Sequence, residues 1–60
     1  MIQAGDLVRI VDGGYNGHLA LVMFKPYGNV ARLKILDYYE PNEYFINNLV
    51  AYNTNSLEKL

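Results

Sequence analysis

Turn-forming residues divide this chain at short, even intervals and leave room only for short extended segments between them. Gly, Pro, Asn and Asp cluster at 12–17, 25–29, 37–42 and 47–48. The runs between these clusters are rich in Val, Ile, Leu and aromatic residues. Strands of about five to eight residues, with turns every 8–12 residues or so, are typical of small β barrels and sandwiches. The spacing therefore predicts an all-β domain.

Five strands fit between the turns. They are predicted at 6–11, 18–24, 30–36, 43–46 and 50–52. The third alternates most clearly, with Ala31, Leu33 and Ile35 on one face and Arg32 and Lys34 on the other. Because successive side chains of a strand point to opposite faces, the apolar set is expected to face a core and the basic set to face outward.

The last part of the chain is more ambiguous. A single 3-10 turn is predicted near 46–49, because Asn tolerates tight local geometry. Residues 1–53 are predicted to form the barrel and 54–60 a C-terminal tail. That tail either frays or forms one helical turn capped by Thr54 or one of the two residues after it.

The first third of the chain contains Gly-Asp-x-Val-x-Ile, a glycine-containing loop and a second apolar strand. It resembles the KOW motif of SH3-like barrels in ribosomal proteins and NusG-type transcription factors. The matching residues are Gly5, Asp6, Val8, Ile10, Gly13, Tyr15, Gly17 and Val22. Ala20 stands where the motif has a second glycine. The resemblance implies a five-stranded SH3-like barrel that binds RNA or a transcription or translation complex.

A second resemblance concerns small SH3-like subunits of photosynthetic complexes. They open with a similar Gly-x-x-Val-Arg-Ile and carry an Asn-Thr-Asn string, to which Asn53-Thr54-Asn55 is similar. This resemblance implies an accessory subunit of a larger complex.

Composition favours a protein partner over a polyanion. The net charge is −1, whereas binding dominated by phosphate contacts needs clustered Lys and Arg. The chain has 60 residues, no Cys and a hydrophobic fraction of 52%, which is more apolar material than a small core can bury. We expect some apolar surface to remain for a partner.

No signal peptide or membrane-spanning run is recognised, so a cytoplasmic location is expected.

The candidate protein-binding residues are aromatic or apolar. Tyr15, Tyr38 and Tyr39 are predicted in loops that lie on one side of an SH3-like barrel, and Leu21 and Met23 on the outside of the second strand. Rigid aromatic rings are frequent anchors in protein interfaces. The alternative is that some of these rings only fill the ends of the barrel.

Three outward basic residues are candidates for binding nucleic acid, namely Arg9, Arg32 and Lys34. They would form a positive strip if the first and third strands were close together. The alternative is an ordinary solvated strand face. Tyrosines beside such a strip would suit base stacking.

Catalytic and cofactor chemistry is not indicated. The chain has no Cys, and its one Ser, Ser56, has no neighbouring His. A metal at His18 would need two or three carboxylates to converge from Asp6, Asp12 and Asp37. The glycine-rich loop lacks the Lys-Ser/Thr end of a phosphate-binding loop. We therefore expect a non-enzymatic protein without cofactor or metal.

Two functions remain open from the sequence. The leading interpretation is a protein-binding module or accessory subunit, with self-association as one form of it. The other is a KOW-like domain that binds RNA or a transcription or translation complex.

Overall fold

Five antiparallel strands form one sheet in the computed structural model, which describes residues 1–37 and 49–60. The strands are β1 (Leu7–Ile10), β2 (Leu19–Val22), β3 (Val30–Ile35), β4 (Leu49–Asn53) and β5 (Leu57–Lys59). A 3-10 turn, Thr54–Ser56, joins the last two. The order across the sheet is β4-β3-β2-β1-β5. The predicted all-β class is confirmed.

One face of the sheet forms the core, as the alternation in the sequence predicts. Its buried members are Val8, Ile10, Ala20, Val22, Ala31, Leu33, Ile35 and Leu57. Cross-strand partners lie on the same face, so the register places Ala20 between Val8 and Ile35, and Leu33 between Val22 and Val50. Small Ala20 and Ala31 leave room for the larger side chains around them.

The connection between β2 and β3 ends in a tight turn, as predicted from Pro26 and Gly28. Tyr27 and Val30 exchange both backbone hydrogen bonds at 3.0 Å, which leaves Gly28 and Asn29 as the two turn residues. Gly28 has a φ of 58°, a conformation that costs glycine little because it has no Cβ.

The first loop, 12–17, is held in place by a side chain from β4. The hydroxyl of Tyr52 accepts a hydrogen bond from the backbone N–H of Tyr15 at 3.1 Å. A Cβ at Gly13 would lie 2.9 Å from that hydroxyl oxygen, and Gly13 also has a φ of 79°. The loop therefore needs glycine at this position both for its backbone conformation and for the approach of Tyr52.

The sheet cannot be flat, because its two edge strands are joined by a very short connection. Only Thr54–Ser56 separates β4 from β5. In a flat sheet, four strand spacings of roughly 4.8 Å would put the edges about 19 Å apart. The four Cα steps from Asn53 to Leu57 reach about 15 Å at most. The edges must therefore approach each other at this turn, although no backbone pairing joins β4 to β5 within the described ranges.

The end of the chain differs from the sequence-based expectation. The strand predicted at 50–52 is present as β4, and it pairs with β3. The 3-10 turn lies at Thr54–Ser56, whereas Leu49 of the predicted turn begins β4. Its cap is Asn53, whose side chain accepts from the N–H of Asn55 at 2.8 Å, and not one of the three residues after it.

Part of the predicted tail is a strand. Leu57 pairs with Ile10 and contributes to the core, while Glu58 and Lys59 pair with Arg9 and Val8. The composition Leu-Glu-Lys carries no strand signal, so contact with β1 decides the conformation. The strand predicted at 43–46 and the rest of the turn predicted at 46–49 lie outside the described residues.

Replacing Leu57 by Ala is expected to lower the free energy of unfolding by about 2 kcal/mol, because it removes a buried side chain from the core. Leu60, which is 53% exposed, provides the matched control. Leu60→Ala should change stability by no more than about 0.5 kcal/mol. Urea denaturation followed by circular dichroism measures both, and equal effects would show that β5 does not contribute to the core.

Alanine substitutions in the first loop should separate backbone conformation from steric contact. Gly14→Ala should be near neutral, since its Cβ meets nothing within 4 Å. Gly17→Ala should cost about 1–2 kcal/mol, because its backbone is left-handed. Gly13→Ala should cost more, because it adds the contact with Tyr52. Thermal and urea unfolding give the ranking, and a Gly13 effect no larger than that of Gly17 would contradict this role for Tyr52.

Candidate functional site

The face of the sheet opposite the core is unusually apolar. We call this the outer face. Its residues are Leu7, Arg9, Leu19, Leu21, Met23, Arg32, Lys34, Leu36, Leu49, Ala51 and Glu58. Leu7 is 42% exposed, Met23 37% and Leu36 49%, whereas Leu19, Leu21 and Leu49 are half-buried. Contiguous exposed apolar surface on a small domain often marks an interaction site.

The register joins these residues into continuous rows across the sheet. Leu21 lies between Leu7 and Lys34, and Lys34 lies opposite Leu49. In the next row, Leu19 lies opposite Arg9. Pairs of this kind bring side chains within contact distance on one face. Leucines from three strands therefore form one surface and are not scattered singly.

The cations predicted for nucleic acid lie on this same surface. Arg9, Arg32 and Lys34 all point away from the core, as the alternation predicts. Arg9 approaches Glu58 of β5 at 3.9 Å, a loose ion pair between exposed groups. Within residues 1–37 and 49–60, no ion pair involves Arg32 or Lys34. The structure thus brings the predicted apolar residues Leu21 and Met23 together with the three predicted cations.

A groove continues the outer face at the end of the β2–β3 hairpin. It has a volume of about 610 Å³. It is lined by Phe24, Lys25, Tyr27, Val30, Arg32 and Leu49. Phe24 is 55% exposed and Tyr27 89%. The sequence analysis assigned no site to Phe24 or Tyr27, although two aromatic residues close together in the predicted turn region were a usable signal.

Tyr15 lies elsewhere, at the end of the sheet that carries the first loop. It is half-buried, packs against the core and meets the His18 ring edge-on, with ring centroids 6.1 Å apart. Its predicted neighbours Tyr38 and Tyr39 lie outside the described residues. A shared aromatic patch of these three tyrosines therefore stays a prediction.

His18 and Asp37 form a polar pair beside Tyr15. His18 Nδ1 lies 3.0 Å from Asp37 Oδ1, and the same oxygen accepts from the N–H of Leu19 at 3.1 Å. An ionised carboxylate only accepts, so Nδ1 is the donor. Desolvation alone would raise the pKa of Asp37, but these hydrogen bonds outweigh it and lower the pKa below the usual 3.8.

This pair does not amount to a metal site. Of the carboxylates considered as companions for His18, Asp37 is adjacent, whereas Asp6 accepts from the N–H of Gln3 and approaches Lys59 at 3.6 Å. Among the residues described, no group of three His, Asp or Glu side chains has the arrangement needed to hold a metal ion.

Comparison of the chain with protein-family models, curated proteins and solved structures finds no match. The described part of the chain also contains no helix of the length and apolarity needed to cross a membrane. Any function must therefore be argued from the outer face, the groove and the charges around them.

Asp37→Asn should reduce the acid sensitivity of the fold. The pKa of Asp37 is lower in the folded protein than in the unfolded chain. Its ionised carboxylate therefore stabilises the fold at pH values above the pKa of the unfolded chain. This stabilisation is lost as the pH falls through the lowered pKa of the folded state. Asparagine keeps an acceptor oxygen but cannot titrate. Urea midpoints measured from about pH 5 to about pH 2 should fall more steeply for the wild type than for the variant. Parallel pH profiles would contradict the assignment.

Proposed function

We propose that this protein is a non-enzymatic module with an SH3-like barrel, and that its outer face binds a protein partner. The strand order and the curl of the sheet support the barrel. β1 to β4 form a meander, and β5 returns beside β1 after a 3-10 turn. The KOW-like opening at Gly5 to Ile10 is consistent with this topology, although fold by itself does not decide function.

The observation that carries the binding proposal is the composition of the outer face. Leu7 and Leu21 are direct cross-strand neighbours, so a partner would cover adjoining apolar side chains on β1 and β2. Lys34 and Arg32 on β3 lie beside this apolar area and would orient the partner, since such charges contribute mainly specificity and association rate. An accessory subunit in a larger assembly would use its surface in this way.

Self-association through this face fits the structure less well than binding of a different protein. Two copies stacked face to face would bring Arg9, Arg32 and Lys34 of one copy close to the same residues of the other. Among the described residues of β1 to β5, Glu58 on the edge strand β5 is the one acidic residue beside these cations. Like charges across an interface are costly, so a different partner fits better.

A KOW-like domain that binds RNA is the second candidate. The three cations on one face favour it, as do the exposed rings of Phe24 and Tyr27. Three phosphate contacts would give a log–log salt slope of only about −2 on a single strand. Apolar residues outnumber cations on this face, so the protein partner is preferred.

Leu21→Glu should weaken partner binding while the fold persists, because it replaces a half-buried leucine of the outer face with a carboxylate opposite Lys34. The measurement is affinity capture from cells that express the protein, with and without nuclease, followed by reconstitution with the purified partner. We expect capture to survive nuclease and the affinity of the variant to fall by about tenfold or more.

Asn55→Glu is the matched control, since it adds the same charge on the exposed 3-10 turn away from the outer face. It should bind like the wild type. If capture is lost with nuclease or falls steeply with salt, and Leu21→Glu has no effect, the RNA-binding alternative replaces this proposal. Light scattering of the purified protein distinguishes self-association from both.

A further inference from the structure

The geometry points to a specific role for the groove: we propose that it binds an acidic peptide segment of the partner, with one apolar side chain inserted as an anchor. This inference rests on the proposed function and specifies the chemistry of the partner. It concerns a part of the surface that sequence reasoning did not assign to any site.

The walls of the groove suit an apolar anchor. Phe24 and Tyr27 flank it from the β2–β3 connection, and Val30 and Leu49 add aliphatic surface from β3 and β4. Its volume of about 610 Å³ lies within the roughly 300–1,000 Å³ of ligand-binding clefts. The groove is open to solvent, so an aromatic or branched side chain inserted here would be covered on one side by these apolar residues and would lose only part of its contact with water.

The charges around the groove select the residues that flank the anchor. Lys25 and Arg32 line it, and none of the described residues that line it is acidic. The guanidinium of Arg32 suits a carboxylate, because its planar N–H groups match the two carboxylate oxygens. Lys25, on the β2–β3 connection, supplies a second positive charge. Asp or Glu on either side of the anchor would therefore be complementary.

Other occupants fit less well. A strand of nucleic acid carries one phosphate for each nucleotide and needs a longer track of cations than these two residues provide. A second copy of this chain would bring its own outer-face cations towards Lys25 and Arg32. Phe24 and Tyr27 do offer aromatic planes for base stacking, so the comparison between the acidic peptide and an oligonucleotide decides between these occupants.

The test is a titration of the isotope-labelled protein with short capped peptides, in which the NMR chemical shifts of the backbone amides are measured. The probe is Asp-Glu-Phe-Glu-Asp, compared with Asp-Glu-Ala-Glu-Asp, Lys-Arg-Phe-Lys-Arg and a five-nucleotide oligouridylate. We expect the first peptide to shift Phe24, Tyr27, Val30, Arg32 and Leu49. Removing its ring should weaken binding by about tenfold, as the loss of one buried aromatic side chain implies.

Two variants with equal loss of charge make the assignment specific. Arg32→Gln should lower the affinity for the acidic peptide by about tenfold. Lys59→Gln, on the edge strand β5 and outside both the outer face and the groove, should leave it within about twofold. Unchanged thermal midpoints show that both variants remain folded.

Several results would overturn the inference. These are equal binding of the basic peptide, tighter binding of the oligouridylate, or shifts confined to the neighbouring cleft beside Ile2, Gln3 and Pro26. Absence of any shift overturns it as well. If Leu21→Glu weakens partner binding while the peptides bind nowhere, the proposed function stands and only the groove assignment fails.

Discussion

The pairing of β5 with β1 is the contact on which the rest of the architecture depends. It places Leu57 in the core opposite Ile10, and it forces the connection from β4 to cross between the two edges of the sheet. The sheet can satisfy so short a connection only by curling. Curling turns the face that carries the core inward and the other face outward, so the core and the candidate binding surface have the same origin.

The alternation of apolar and polar residues along the strands made the core and the outward residues predictable from the sequence. Ala31, Leu33 and Ile35 lie in the core and Arg32 and Lys34 outside it, because a period of two leaves little ambiguity in a strand. The closing strand was not predictable in this way. Leu57–Lys59 has a composition that suits a helix or a loop, and only its long-range pairing makes it a strand.

The candidate site was also predictable only in part. Sequence identified Leu21 and Met23 as surplus apolar residues and Arg9, Arg32 and Lys34 as outward cations, but treated them as evidence for rival functions. The register, which sequence alone does not give, places them on one surface. The groove was missed because Leu49 was assigned to a turn, whereas as the first residue of β4 it contributes to the wall beside Arg32.

The pairing of β1 with β5 also has a kinetic consequence. Residues about 50 positions apart must meet before the sheet is complete, and contacts of large sequence separation slow folding because a long loop has to close first. Until β5 pairs with it, β1 has an unpaired edge beside apolar leucines. Such an edge is prone to pairing with other chains, so the three residues of β5 also protect the sheet from association along β1.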